Sequence, residues 1–126
     1  MNRAIDWMRQ AKRDLQHARN AKSSGDYEWA CFAAQQAAEK GLKSAFQKRG
    51  KEGWGHAVAG LCQALSVEMP VPLTILNAAR RLDKHYIPAR YPNGFASGIP
   101  GDYYMEQDAD QAIKDADEIL RLCESA

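Results

Sequence analysis

The sequence predicts an all-α protein built as an antiparallel bundle of amphipathic helices. Apolar residues recur every three or four positions along most of the 126-residue chain, which is the helical period. Gly and Pro concentrate in a few segments between these patterns, and no alternating β period interrupts them. A chain of this length corresponds to about one domain. We therefore expect a single helical domain over residues 1–126.

The first two patterns predict two long helices joined by a tight turn. No Gly or Pro interrupts residues 3–22, and the inward positions there are Ala4, Met8, Ala11, Leu15 and Ala18. Gly25 suits the left-handed C-cap that ends a helix. A second stripe continues toward Arg49 at Tyr27, Cys31, Ala34, Ala38, Leu42 and Ala45. Small residues in this second helix allow close approach of its neighbours, so we expect it to be central.

Three further patterns predict three more helices. A short apolar period lies at Val58, Leu61, Cys62 and Leu65 and runs until Pro70. The next stripe lies at Leu73, Leu76, Ala79, Leu82 and Tyr86 and ends at Pro88, because proline lacks the backbone donor. Residues 88–102 are rich in Pro and Gly and predict a long loop. The last stripe is Ala109, Ala112, Ile113, Ala116, Ile119, Leu120 and Cys123. Short connections between these helices predict the antiparallel arrangement.

Charge is balanced overall but uneven along the chain. Lys and Arg number 17 and Asp and Glu 16, which argues against a uniformly basic nucleic-acid binder. Residues 1–90 contain 15 basic and 8 acidic side chains, whereas residues 91–126 contain 2 basic and 8 acidic ones. The outer face of the last helix is predicted to carry the acidic block, at Asp108, Asp110, Asp115, Asp117 and Glu118.

The cysteines indicate a reduced compartment. The sequence has an odd number of cysteines, namely Cys31, Cys62 and Cys123. They lack the paired spacing of a disulfide framework or a zinc site. No leader pattern opens the sequence, and no apolar run approaches the roughly 18 residues of a membrane span. Its glycines match neither a Walker loop nor a dinucleotide fingerprint. We expect a cytoplasmic protein with no metal and no cofactor.

Several local motifs resemble a known family. Residues 35–40 read Gln-Gln-Ala-Ala-Glu-Lys in the second helix, Gly55-His56 open the third, and Arg90-Tyr91-Pro92 precede the last. In their order and separation, these motifs resemble the HEPN domain over nearly the whole chain. The resemblance implies an up-and-down four-helix bundle with an additional short helix, which is usually a homodimer. It also implies a minimal nucleotidyltransferase as partner, and several HEPN subfamilies are metal-independent ribonucleases.

The catalytic motif of those ribonucleases is incomplete in this sequence. It consists of Arg, four to six residues and then His, in which His transfers protons and Arg stabilises the phosphorane. Arg90 lies at the expected place, but residues 95–97 are Phe, Ala and Ser. Arg80 and His85 have the spacing, yet on one helix they diverge by ~140°. Arg81 and His85 share a helix face without that spacing. We expect little or no metal-free cleavage of RNA.

Arg90 leaves two interpretations open. In one, its guanidinium binds a phosphate bidentately at a dimer cleft, with Tyr91 beside it. In the other, Arg90 is a structural anchor that pairs with Glu39 and donates hydrogen bonds to carbonyl groups. The Tyr91-Pro92 pair favours packing, because proline fixes the backbone and the aromatic ring covers apolar surface.

The remaining candidates are basic residues of the second helix and a histidine. A stripe that could face phosphate, or simply be solvated, consists of Lys40, Lys43, Lys48, Arg49 and Lys51. Histidine as a residue type changes charge near neutral pH, so His56 could belong to a catalytic dyad, but a histidine that opens a helix is more often a capping or packing residue. The residues predicted to bind a ligand are Arg90, Tyr91, Glu39, Lys40 and Lys43.

Taken with the resemblance, these features predict a homodimeric partner module that acts with a minimal nucleotidyltransferase in a toxin–antitoxin-like system. One alternative is a metal-independent ribonuclease toxin that uses Arg90, or Arg81 with His85. The other is a protein that binds a nucleotide or anion at the dimer cleft. A homodimer is expected because the large apolar side chains exceed what a narrow Ala-rich core encloses. These side chains are Trp7, Tyr27, Trp29, Phe32 and Trp54.

Overall fold

Six α-helices and one short 3-10 turn make up the regular structure of residues 2–126, the part of the chain that the computed structural model describes. The helices are α1 (Ala4–Ser23), α2 (Tyr27–Lys48), α3 (Val58–Leu65), α4 (Leu73–Asp83), α5 (Pro100–Tyr103) and α6 (Glu106–Ser125), and the 3-10 turn is Pro92–Gly94. No strand occurs within these residues. The predicted all-α fold is confirmed.

Helix α2 is the central element of the bundle. It packs against α1, α6, α3 and α4, and Ala30, Ala34, Ala37 and Ala38 on it are fully buried. At Gly41, an added Cβ would lie 2.9 Å from the Cδ1 of Leu120 on α6. The stripe of small residues therefore sets how closely α1 and α6 approach this helix.

Enlarging this stripe is expected to destabilise the protein. We expect Ala34→Leu or Gly41→Leu to lower the free energy of unfolding by about 1–3 kcal/mol, because a close-packed core has no volume for added methylene groups. Chemical denaturation checks this. Gly60→Leu is the matched control, since a Cβ at this exposed position of α3 meets only Ala57, at 3.7 Å. Equal midpoints for all three variants would contradict the expected packing.

Part of the uneven charge of the chain is neutralised by ion pairs between α1 and α6. Helix α6 presents its carboxylates to α1, where Lys12 pairs with Glu124 at 2.9 Å and Lys22 pairs with Asp110. The acidic block is therefore not simply an outer, solvated face. Asp115 contradicts that expectation most clearly, because it is 1% exposed.

Helix α4 differs from its predicted pattern. It ends at Asp83, and residues 84–90 continue as successive turns in which the amides of Lys84, His85 and Tyr86 bond three residues back. Pro88 disfavours α conformation before it, which is consistent with an end upstream of the proline. Leu73, predicted to face inward, is exposed, and Ile75 and Ala78 are buried instead. The early end moves Tyr86 off the helix.

The three cysteines lie in the core as free thiols. Burial raises the pKa of Cys31, Cys62 and Cys123 to about 12 each. Over residues 2–126, no helix has both the length and the apolar composition needed to cross a bilayer. Within the same residues, no group of His, Cys, Asp or Glu side chains has an arrangement that could hold a metal ion.

Candidate functional site

Arg90 lies among three aromatic rings at the end of the turns that follow α4. Its guanidinium carbon is 4.4 Å from the ring centre of Phe32, 4.8 Å from that of Tyr86 and 5.1 Å from that of Tyr91. Its Nε donates to the carbonyl of Tyr86 at 2.8 Å. No carboxylate of residues 2–126 forms an ion pair with it. We call these four residues, Phe32, Tyr86, Arg90 and Tyr91, the Arg90 cluster.

The predicted pairing of Arg90 with Glu39 is wrong. Glu39 instead lies 3.3 Å from the Nζ of Lys43 and 3.2 Å from the Nδ1 of His56. Glu39 is two helical turns beyond Phe32, so about 10 Å of α2 separates it from the ring that Arg90 contacts. Only the carbonyl bond of the anchor interpretation is present. The charge of Arg90 therefore remains without a partner in the described chain.

His56 connects Glu39 to the Arg90 cluster. Its Nδ1 lies 3.2 and 3.3 Å from the two carboxylate oxygens of Glu39, and its ring stacks on that of Tyr86 at 5.8 Å and 15°. The His56 side chain is 64% exposed, whereas that of Glu39 is 6% exposed. An exposed imidazole thus lies against a buried carboxylate.

The backbone at His56 is fixed from two sides. The buried side chain of Gln35 donates to the carbonyl of His56 at 2.9 Å. Immediately beyond, the carboxylate of Asp83 accepts hydrogen bonds from the amides of Val58 and Ala59, at 2.7 and 2.9 Å. Asp83 thereby caps α3 from α4. Of the two roles expected for His56, packing is present, because its ring stacks on Tyr86, whereas the capping of α3 is provided by Asp83.

The lysines of the predicted basic stripe are used within the bundle. The Nζ of Lys40 lies 2.6 Å from a carboxylate oxygen of Asp14. Lys43 pairs with Glu39 and lies over the Trp7 ring, 5.6 Å from its centre. Neither of these contacts involves Arg90. Both act in the structure as links between α1 and α2.

The alternative pair, Arg81 and His85, is not brought together. Arg81 forms two 2.9 Å hydrogen bonds to Asp115 on α6. The Nδ1 of His85 lies 2.9 Å from the hydroxyl of Tyr104, and burial lowers the pKa of His85 below its ordinary value. Arg80 is exposed and contacts neither group. These side chains hold the bundle together rather than form an open site.

The His85 pKa predicts a dependence of stability on pH. Since the folded pKa is lowered, the unfolded chain binds a proton at higher pH than the folded chain does, below about pH 6.5. This contribution to stability is present above that pH and is lost as the pH falls. We expect His85→Gln to lose less stability than wild type between pH 7 and 5 in urea denaturation. His17→Gln, at an exposed position of α1, should follow wild type. Parallel curves for His85→Gln and wild type would contradict the prediction.

Two shallow grooves meet at His56. One, of about 270 Å³, is lined by Trp7, Lys43, Gln47, Glu52, Trp54, His56 and the glycines on either side of Trp54. The other, of about 380 Å³, is lined by His56, Ala57, Asp83, Tyr86, Ile87 and Pro88. His56 belongs to both walls, so it separates an aromatic groove on one side from the Tyr86 ring on the other.

The model of the HEPN domain matches residues 4–126. The chain belongs to the HEPN domain family. This HEPN protein resembles the crystal structure of TT1696 from Thermus thermophilus, with a TM-score of 0.96, 44% identity and coverage of 99% of this chain and 98% of that chain. It also resembles ST0689, an archaeal HEPN homologue, with a TM-score of 0.83, 45% identity and coverage of 99% and 98%.

Two further relatives extend the comparison. A HEPN domain protein from Thermotoga maritima has a TM-score of 0.79 and 36% identity, with 95% of each chain covered. A Methanocaldococcus jannaschii protein that carries the name "Putative toxin MJ1304" is 24% identical over 125 residues, which span 92% of this chain and 82% of that protein. The predicted family and bundle are therefore confirmed.

Proposed function

We propose that this HEPN protein is the toxin-type component of a toxin–antitoxin-like pair, in which a homodimer acts with a minimal nucleotidyltransferase in the cytoplasm. The family assignment and the relative named as a toxin support the toxin-type role. Three buried free thiols agree with a reducing compartment. The proposed partner and the proposed dimer depend on an exposed aromatic surface around Arg90.

The observation that carries the proposal is the exposed aromatic surface around Arg90. Trp29 is 49% exposed and Tyr91 is 47% exposed, and the Trp29 ring meets the edge of Phe32 at 6.2 Å. An unpaired guanidinium lies within the same surface. Aromatic residues and Arg are the residue types enriched at the centres of protein interfaces. This surface is therefore suited to protein recognition.

Co-expression with a minimal nucleotidyltransferase from the same genome tests the proposed partner. We expect the two proteins to co-purify, and we expect the nucleotidyltransferase to relieve growth arrest caused by the HEPN protein alone. Arg90→Ala and Tyr91→Ala should weaken capture. Lys114→Ala, a change on α6 away from this surface, is the control. Neither co-purification nor relief of arrest would overturn the assignment of this partner.

The predicted homodimer is tested separately. We expect light scattering at micromolar concentration to give twice the 14.0 kDa chain mass. Trp29→Glu should shift the mass toward the monomer, because it places a charge in the exposed aromatic surface. Val67→Glu changes an apolar residue that is 85% exposed in the turn after α3 and should leave the mass unchanged. A monomer mass for the wild type would refute the dimer.

A further inference from the structure

We propose that the Arg90 cluster binds a single carboxylate, carried by an acidic side chain that lies between apolar residues on the surface of the partner protein. This role rests on the proposed function, which supplies the partner, and it adds the chemical group that the partner presents. The ligand of Arg90 is then a protein side chain and not a phosphate.

In the described chain, one edge of the Arg90 guanidinium has no partner. Its Nε donates to the carbonyl of Tyr86, and the centres of three aromatic rings lie within 5.1 Å of its central carbon. The Nη1 and Nη2 atoms have no hydrogen-bond partner within residues 2–126. Because these two nitrogens can donate in parallel, they match the two oxygens of a carboxylate.

The aromatic rings also prepare Arg90 for binding. The side chain is half-buried, and its contacts with the rings and with the Tyr86 carbonyl hold the guanidinium in place before a partner arrives. An arginine that is already ordered loses little conformational entropy when it forms a new hydrogen bond. The free protein therefore presents a fixed, unpaired cation.

The charge around Arg90 favours a single anion over a polyanion. Two segments, residues 26–33 and 86–105, carry the cluster and the exposed apolar side chains beside it, and Arg90 is the one basic residue in them. The acidic residues of the same segments are Asp26, Glu28 and Asp102. A nucleic-acid strand is bound by several basic side chains that follow its phosphates. A strand laid here would meet three carboxylates for one cation, whereas a single carboxylate needs only Arg90.

The rim of the cluster is apolar. The Trp29 ring meets the edge of Phe32 at 6.2 Å, and α5 packs against the start of α2, where a Cβ at Gly101 would lie 2.7 Å from the Glu28 carboxylate. The exposed apolar side chains of the two segments are Trp29, Ile87, Tyr91, Ile99, Tyr103 and Met105. Apolar contacts around a charged pair exclude water and so strengthen it. The matching acidic residue of the partner is therefore expected to have apolar neighbours.

A double-mutant cycle with a minimal nucleotidyltransferase from the same genome tests this role of Arg90. Each exposed Asp or Glu of that protein is changed to Asn or Gln, and calorimetry measures its Kd for the wild type and for Arg90→Ala. We expect Arg90→Ala to weaken binding about 30-fold or more, the usual effect of removing one member of a desolvated charge pair. One carboxylate substitution should weaken binding to the wild type and have no further effect with Arg90→Ala. Additive losses for every carboxylate would overturn the inference.

Two further variants separate a lost contact from a lost fold. Arg90→Lys keeps the charge and should retain only part of the affinity, since an ammonium group cannot donate in parallel to two oxygens. Arg80→Ala, which changes an exposed basic residue of α4 that forms no ion pair within residues 2–126, should bind like wild type. Circular dichroism melts establish that each variant is folded. If Arg90→Ala does not fold, the cycle is measured with Arg90→Lys.

A peptide probe distinguishes a carboxylate from a phosphate. The tripeptides Leu-Glu-Phe and Leu-Gln-Phe, with both ends blocked, are titrated into the ¹⁵N-labelled protein in parallel with inorganic phosphate and adenosine monophosphate. NMR follows the arginine side-chain signals. We expect the signals of Arg90 to shift at a lower concentration of the Glu peptide than of any other probe. An equal response to all four probes, or a response to either phosphate at lower concentration, would overturn the inference.

The outcomes separate this inference from the proposed function. Capture of the nucleotidyltransferase without coupling to Arg90 would overturn the carboxylate assignment alone. Absence of capture with a selective response to the Glu peptide would overturn the proposed partner and support the carboxylate chemistry. A shift of Arg90→Ala from the dimer mass to the monomer mass in light scattering would place the carboxylate on a second copy of this chain, and would overturn its assignment to the partner.

Discussion

Arg81→Ala is expected to destabilise the protein by about 2–3 kcal/mol, because it removes the cation from the buried carboxylate of Asp115, although solvent partly screens the pair, since the Arg81 side chain is 46% exposed. Asp115 is 1% exposed and accepts two hydrogen bonds from Arg81 and one from Gln111, at 2.9, 2.9 and 2.8 Å. The amide of Gln111 remains in the variant but carries no charge. Urea denaturation at pH 7 measures the loss.

The neighbouring Arg80 provides the matched control. It precedes Arg81 on α4, is exposed and forms no ion pair within the described chain. Arg80→Ala should therefore change the free energy of unfolding by no more than about 0.5 kcal/mol. The double variant Arg81→Met with Asp115→Leu should recover most of the loss, since it removes the buried carboxylate together with its cation. Equal stability of Arg81→Ala and Arg80→Ala would show that the pair contributes nothing.

This prediction also separates two roles for Arg81. If Arg81 is a catalytic residue, its replacement should lower activity and leave stability unchanged. If Arg81 is instead the partner of Asp115, its replacement should lower the free energy of unfolding. The helix pattern alone could not distinguish these roles, because the expected partner on the same face was His85, four residues away. The actual partner lies 34 residues away on α6.

The sequence predicted the fold well because the fold depends on local periodicity. Every inward position predicted for α1 and α3 is buried, and so are Cys31, Ala34, Ala38, Leu42 and Ala45 on α2. Helix α4 was predicted less well. Its stripe could be drawn through Leu73 or through Ile75, and the packing of α4 against α6, α3 and α2 selects the second.

The candidate site was predicted only in part, because its contacts are not local. Arg90 was identified from the sequence, and the structure places Tyr91 beside it as expected. The Glu39 and His56 pair joins residues 17 positions apart, across the glycine-rich segment between α2 and α3. From the sequence alone, the carboxylate of Glu39 could have paired with any of several basic residues. Only the path of residues 49–57 determines that His56 is one of its partners.

That path depends on Asp83, and Asp83→Ala is expected to cost about 2–3 kcal/mol of stability. Its carboxylate accepts from the amides of Val58 and Ala59, the first two residues of α3. Hydrogen bonds to a charged group contribute about 1.5–3 kcal/mol each, and part of this is regained from water in the variant. The negative charge also interacts favourably with the positive end of the α3 dipole.

The loss should be localised at the start of α3 and should therefore reach His56. Hydrogen exchange at the amides of Val58 and Ala59 should become faster in Asp83→Ala, while exchange within α1 and α2 follows the global stability. Asp26→Ala is the matched control, because Asp26 occupies the N-cap of α2 without a side-chain hydrogen bond there. If Asp83→Ala were no less stable than Asp26→Ala, the cap from α4 would not be what fixes the segment that carries His56. If the start of α3 does loosen, the contact between His56 and Glu39 should weaken with it, because His56 lies only two residues before the first capped amide.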